Sequence, residues 1–362
     1  MPLSLPPLVA PVASLSDAER ARTLRHAALR GFGELAQRRL AAAHVAIVGA
    51  GGLGSPAVLA LAAAGVGTLT VIDDDEVDVT NLQRQVLHRM SDVGAPKTDS
   101  AVRVAADLSP ETRVQAVRRR IDADCADELL APADLVLDGS DTFATRAVVA
   151  AACERLGVPL VWGVVQEFHA QVTVFWSRPP AGHVPVVLSD LHPPEAAGEA
   201  PSCAEVGVLG ALTLQVGSIM ATEAIKLLTG VGEPLLGRVL LIDALRARHT
   251  EVPLRPATAT AAVPSERPGI PLVTAEEMLA AQSAEGAMLL DVREPWETAT
   301  GTVEGSMLVP LAELLRDPDQ IEASRPVVVI CAKGMRALTA AQALRERGVE
   351  ARVLAGGLSA WA

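Results

Sequence analysis

Residues 45–56, VAIVGAGGLGSP, run from an apolar segment into Gly49-Ala50-Gly51-Gly52-Leu53-Gly54 and then into a helical pattern. Strand, glycine turn and helix start in that order make a phosphate cradle. Gly49 permits the tight turn, Gly51 lets the backbone approach a phosphate, and Gly54 lets the helix pack closely on its strand. Free N–H groups at the helix start favour an anion. The next apolar run, 69–72, ends in Asp73, near the offset at which a carboxylate meets a ribose hydroxyl. These features fit a nicotinamide or flavin dinucleotide as readily as ATP. Four residues soon after Asp73 argue for ATP: Asn81, Arg84, Gln85 and Lys97. Two cations and two amides beside a phosphate loop suit a triphosphate, whose charge far exceeds a dinucleotide's. Asp138 and Asp141 stand at the end of the apolar run 135–137, where ligands of open α/β sheets bind and where Mg2+ needs carboxylate.

A second centre is built on sulfur. The apolar run 327–330 leads into Cys331-Ala332-Lys333-Gly334-Met335-Arg336 and then a helical pattern. A cysteine on a short strand-to-helix loop has successive N–H groups directed at its sulfur, and Lys333 and Arg336 add positive charge; a thiolate or persulfide is stabilised. Cys203 precedes a long apolar helical stretch, 206–228, and a thiolate at a helix start is a usable nucleophile. Cys125 and Cys153 lie on helical patterns and read as packing residues. The four cysteines form no CxxC pair, so neither a disulfide scaffold nor a thiolate zinc cage is indicated, and a reducing cytoplasm fits.

The elements that must position these groups alternate. Strands are expected near 45–49, 69–73, 114–118, 134–138 and 159–163 with helical patterns between them, which implies an α/β, Rossmann-like, doubly wound and mostly parallel sheet. Residues 166–176 alternate like a strand with one wet side, 178–201 read as a long loop, and 238–243 as a last strand. Residues 16–40 are helical in spacing, with Arg22, Arg25, Arg38 and Arg39 on a solvated face. Residues 1–15 carry Pro2, Pro6, Pro7 and Pro11 and no basic start, so they read as a flexible arm rather than a signal peptide. Residues 16–250 then form the first domain, 251–270 a linker, and 271–362 a smaller α/β domain. The formal charge of −12 argues against a nucleic-acid surface, and the polar residues within 206–228 argue against a membrane span.

In this order, GAGGLGSP, DxDxVDxxNLQRQ, VGAPK, DLVLDGSDTFATR, SCAEVGVLG and EAIKLLTG resemble the sulfur-carrier adenylyltransferases of the MoeB/ThiF type, prokaryotic relatives of ubiquitin-activating enzymes. The resemblance covers about residues 16–250. It implies that Gly49, Gly51, Gly52, Gly54, Asp73, Asn81, Arg84, Gln85, Lys97 and Asp141 hold MgATP. Asp73 would take the ribose, Arg84 and Lys97 the phosphates, and Asp141 the magnesium. Arg25 would reach the ATP site of the other subunit of a homodimer. Residues 271–362, through DVREPWE, the Cys331 loop and GGLSAW, are similar to a rhodanese domain.

The expected activity is adenylation of the C-terminal glycine of a small ubiquitin-like carrier ending in Gly-Gly, followed by sulfur transfer from a Cys331 persulfide to leave a thiocarboxylate. The sulfur donor would be thiosulfate or a cysteine desulfurase, and molybdopterin, thiamine or related metabolism would be served. In the family Cys203 links covalently to the activated carrier or forms a disulfide with the persulfide donor. Three departures stand out. Thr142 replaces the asparagine of the DxxDN motif, the two zinc-binding CxxC pairs of many members are absent, and the rhodanese GHIPGA reads Gly301-Thr302-Val303-Glu304-Gly305-Ser306, without its histidine. No zinc is expected, and the missing histidine is expected to alter stability more than chemistry. The alternatives are a nicotinamide-dependent oxidoreductase with a regulatory rhodanese module, and a non-catalytic scaffold that docks a ubiquitin-like partner.

Overall fold

A computed structural model describes residues 5–192, 207–256, 270–299, 301–321, 325–332 and 334–358. The chain divides into two compact units, Met1–Thr258 and Ala259–Ala362. The first is built on an eight-stranded sheet in the order β3-β2-β1-β4-β5-β6-β7-β8. Strands β1 (His44–Val48), β2 (Thr68–Ile72), β3 (Arg113–Val117), β4 (Leu135–Asp138) and β5 (Leu160–Gln166) are mutually parallel. Strands β6 (His169–Phe175), β7 (Arg238–Asp243) and β8 (Arg248–Pro253) continue it antiparallel.

Alternation along the central strands explains the double layer. Val45, Ile47, Leu135 and Leu137 enter one core with helices Gly54–Ala64, Lys97–Leu108 and Gly210–Thr229, whereas Ala46, Val48 and Val136 enter another with helix Phe143–Leu156. Successive side chains of a strand point to opposite faces, so an unbroken apolar run needs cover on both. Gly210–Thr229 is long and apolar enough to cross a membrane, yet most of it is buried inside this unit, as its interrupting polar residues imply.

Four expectations change. Residues 16–40 are not one helix but three, Asp17–Arg22, Leu24–Ala27 and Gly33–Ala42: the first two part at Thr23, and Gly31 and Gly33, at φ of +83° and +69°, separate the third. Their arginines are not merely solvated: Arg22 donates to Ala63 O at 2.6 Å, Arg38 to Val12 O at 2.6 Å and Arg39 to Thr229 O at 2.8 Å, satisfying backbone carbonyls of neighbouring segments. Strand β8 carries the sheet to Pro253, so the first residues of the expected 251–270 linker belong to the sheet.

Residues 5–15 are docked rather than flexible. Leu5 and Leu15 are buried, Leu8 N–H donates to Leu227 O at 3.1 Å, and Val12 N–H donates to Arg38 O at 3.1 Å. The arm's apolar residues have an apolar surface to cover. Leu5→Ala should therefore destabilise the first unit by about 2 kcal/mol, read as a lowered urea midpoint; an unchanged midpoint would mean that the arm does not hold the unit together.

The second unit has a five-stranded parallel sheet in the order β11-β10-β12-β13-β9: β9 (Leu272–Val273), β10 (Met288–Asp291), β11 (Met307–Leu308), β12 (Val327–Ile330) and β13 (Ala351–Leu354). It has its own cores: Leu290, Val327 and Val329 face one way, Leu289, Val328 and Ile330 the other.

Candidate active site

The order of the first sheet reverses at β1 and β4, and the residues beyond their carboxyl ends line an open cleft. A crevice at that reversal is where doubly wound sheets bind ligands. Gly49, Gly51, Gly52, Asp73, Arg84, Gln85, Lys97 and Asp141 all line it. Gly49 sits at φ +86° with the Gly139 carbonyl 3.1 Å from where a Cβ would lie. A Cβ on Gly54 would stand 1.8 Å from Gly49 O, so Gly54 is buried at the helix start and shapes the cradle without lining it.

Asp73 spans two backbone groups: Oδ2 accepts from Ala50 N–H at 2.7 Å and Oδ1 from Asp75 N–H at 2.9 Å. Burial pushes its carboxyl above the ordinary range, opposed chiefly by the Lys97 charge. Lys97 is almost wholly buried and its ammonium rests on Asp75 Oδ2 at 2.7 Å. Among the described residues Arg84 donates to Thr80 O, at 3.1 Å, and has no carboxylate partner. Gln85 is buried, its Oε1 has no partner among the described residues, and its Nε2 lies beside Gly51.

One expected contact falls elsewhere. Asn81 does not line the cleft: its Oδ1 accepts from Asp78 N–H at 3.1 Å, closing the 3₁₀ turn Val79–Asn81. Arg25 is exposed on helix Leu24–Ala27 and does not line the cleft of its own chain. Cys203 lies outside the described residues.

The segment 138–146 is a braced loop. Asp138 is fully buried, with Oδ1 accepting from Ser140 N–H at 3.0 Å and Ser140 Oγ–H at 2.6 Å, while Oδ2 has no partner among the described residues. Burial raises its pKa; the neighbouring Arg146 and the Ser140 bonds oppose the rise. Arg146 donates twice to Ser140 O, at 3.2 and 2.9 Å, with its guanidinium 5.9 Å from the Trp162 ring centre. Thr142, where the motif has asparagine, accepts from Thr145 N–H at 3.2 Å as the N-cap of helix Phe143–Leu156, a task either residue performs. Asp141 is thereby presented to the cleft with its carboxylate exposed.

Arg119, Arg120 and Arg146 also line the cleft and were not anticipated. The run Arg118-Arg119-Arg120 directly after β3 was the available signal, since the carboxyl end of a parallel strand next to Asp73 faces the same crevice. Arg118 pairs with Asp99 and Arg120 with Asp74, which leaves Arg119 without an ion pair among the described residues.

In the second unit Cys331 follows β12, is buried, and its Sγ accepts from Gly334 N–H at 3.0 Å and Ala337 N–H at 3.4 Å. Gly334, at φ +96°, turns the chain into helix Met335–Arg345. The loop thus directs N–H groups at sulfur, as its spacing implies. Ala332 completes the described part of the loop, whereas Lys333 and the Met335 side chain lie outside the described residues. Arg336 is not free to serve the sulfur alone: its two terminal nitrogens each lie 2.6 Å from a carboxylate oxygen of Glu297, and that pairing raises the pKa of Arg336 and lowers that of Glu297. Arg293 is similarly committed, to Asp291 at 2.7 Å and to Gly301 O at 2.8 Å. Cys125 and Cys153 are buried packing residues, and burial pushes the Cys153 thiol far up.

A model of the ThiF family matches residues 23–262, and one of the rhodanese-like domain matches residues 274–362. Over its whole length the chain is 40% identical to a probable adenylyltransferase/sulfurtransferase MoeZ of Mycobacterium tuberculosis, 97% of which is covered. It is 45% identical to a sulfur carrier protein adenylyltransferase of Thermus thermophilus, over 64% of this chain and 86% of that one. It is 43% identical to a SAMP-activating enzyme E1 of Haloferax volcanii, over 67% of this chain and 88% of that one. Among solved structures, E. coli MccB with ATP aligns with a TM-score of 0.55 at 21% identity, over 66% of this chain and 72% of that one, which shows a shared fold.

Proposed function

This chain belongs to the ThiF family and is an adenylyltransferase joined to a rhodanese-like sulfurtransferase domain, and we propose that it activates and then thiolates the C-terminal glycine of a small ubiquitin-like sulfur carrier. The observation that carries this reading is the cleft at the β1/β4 reversal, which joins a glycine cradle to Arg84, Lys97, Arg119 and Arg120. Such a wall suits the phosphates of ATP, which is the substrate here. The carrier's carboxylate attacks the α-phosphorus and pyrophosphate leaves, giving an acyl-adenylate. The chain's own task is to align two anions and offset the charge that builds between them.

The residues present fit a magnesium ion. Asp73, Asp74 and Asp75 lie within 4.8 Å of one another, but they are engaged by backbone N–H groups, Arg120 and Lys97. Asp141 offers the cleft an exposed carboxylate oxygen, the donor a hard cation takes, and would hold the ion. Bound there, Mg2+ would neutralise phosphate charge.

In the second step the outer sulfur of a Cys331 persulfide attacks the acyl carbon, and AMP leaves with its oxygen. The resulting acyl disulfide is opened by thiol exchange, releasing the thiocarboxylate and leaving Cys331 in a disulfide with the attacking thiol. Cys203 is proposed as that thiol. An external thiol would reduce that disulfide and free the Cys331 thiolate, which thiosulfate, with release of sulfite, or a cysteine desulfurase would recharge; molybdopterin, thiamine or related synthesis would use the product. A homodimer belongs to the same proposal, since Arg25 is exposed and does not line its own cleft.

Incubation with MgATP, thiosulfate, a thiol reductant and a Gly-Gly-ended carrier should add about 16 Da to the carrier, the replacement of oxygen by sulfur at an acyl carbon. Arg84→Ala should cut that yield by at least about tenfold. Full yield from Arg84→Ala would remove Arg84 from the site, and binding of the carrier without any mass gain or pyrophosphate exchange would favour the scaffold reading.

A further inference from the structure

The peptide groups on both sides of Ala50, the residue between Gly49 and Gly51, are gripped by side chains. Ala50 N–H donates to Asp73 Oδ2 at 2.7 Å; Ala50 O accepts from Ser55 Oγ at 2.9 Å and lies 3.1 Å from His88 Nε2. Ser55 is fully buried and His88 is 7% exposed. A carbonyl oxygen can only accept, so His88 Nε2 carries the ring proton. Nδ1 is buried without a partner among the described residues and carries none. Burial lowers the pKa of His88; Lys97 and Arg103 act in the same direction, against the Ala50 bond and Asp92. A neutral imidazole in one tautomer therefore lies against the phosphate loop, and His88 itself does not line the cleft.

We propose that His88 is a positioning residue for the phosphate loop: its Nε2–H, with Ser55 and Asp73, fixes Ala50 and so presets the backbone of Gly51 and Gly52 that lines the cleft. The proposal rests on reading that cleft as the ATP site. Glycines on either side of Ala50 give the loop wide conformational freedom, and a loop that is fixed beforehand loses less entropy when it closes on phosphate. Deleting the donor leaves Ala50 O short of one bond and lets the loop sample other shapes, a loss in ground-state binding.

The test is equilibrium binding of MgATP to the full chain, in wild type and in H88L, H88N and H88Q. A glutamine amide nitrogen reaches about where Nε2 stands, whereas that of asparagine reaches only the Nδ1 position. H88L and H88N should weaken ATP binding roughly tenfold and H88Q should recover most of that loss, the size expected for one buried hydrogen bond. Thermal melts of all four identify loss of fold, and where H88L does not fold the H88N and H88Q pair is read in the same way. ATP binding by H88N as tight as wild type, or H88Q as weak as H88N, overturns the proposal. Wild-type protein that does not bind MgATP overturns the ATP-site reading and the proposal with it.

Discussion

Cys331→Ser is expected to lower thiosulfate sulfurtransfer by at least on the order of 10³-fold while leaving carrier-dependent ATP–pyrophosphate exchange at the wild-type rate. The size comes from removing the sulfur atom that is proposed to carry the transferred sulfane. Serine is the informative replacement because Sγ accepts N–H groups from Gly334 and Ala337 inside a buried loop. Its hydroxyl oxygen can still accept them, whereas alanine leaves both donors unpaired. Cys331→Ala should accordingly melt lower than Cys331→Ser, by a difference of about 1 to 2 kcal/mol. Sulfurtransfer retained by Cys331→Ser would remove the persulfide from the mechanism. Loss of exchange as well would mean that the two chemistries are not separable.

Gly54→Ala is expected to abolish MgATP binding and to destabilise the first unit by more than about 3 kcal/mol. The added Cβ would lie 1.8 Å from Gly49 O and 2.8 Å from Gly49 C. Both are backbone atoms of the turn, and Gly49 is itself confined by φ +86° and by the Gly139 carbonyl, so the clash cannot be relieved by a rotamer change. Gly51→Ala gives the contrast. Its Cβ would meet only Gln85 Nε2 at 3.5 Å, an ordinary contact, so that variant should fold and melt near wild type. Urea unfolding followed by nucleotide titration separates the two. The second unit has its own cores, and its thiosulfate activity should survive Gly54→Ala. A Gly54→Ala protein that folds and binds like wild type would show that the cradle relaxes more than a close-packed turn should.

Much of this molecule could be read from one dimension because the features are local. Strand β1, the glycine turn and the helix after it are contiguous, and each glycine's role is set by backbone geometry within a few residues. The same holds for Cys331 and the N–H groups that succeed it, and for the alternation that places Val45 and Ile47 in one core and Ala46 and Val48 in the other. Relatedness then supplied the chemistry that glycine spacing alone left open between a dinucleotide and ATP.

What only the folded chain decided are pairings between distant residues. Asn81 became a turn cap, Arg336 was claimed by Glu297, and residues 5–15 found the surface of helix Gly210–Thr229. Arg119 and Arg120 entered the cleft because β3 lies beside β2, and His88 reached Ala50 across 38 positions of sequence. A side chain's type says which bonds it can make. Which partner it meets depends on how strands and helices pack, and that outcome belongs to the whole chain at once.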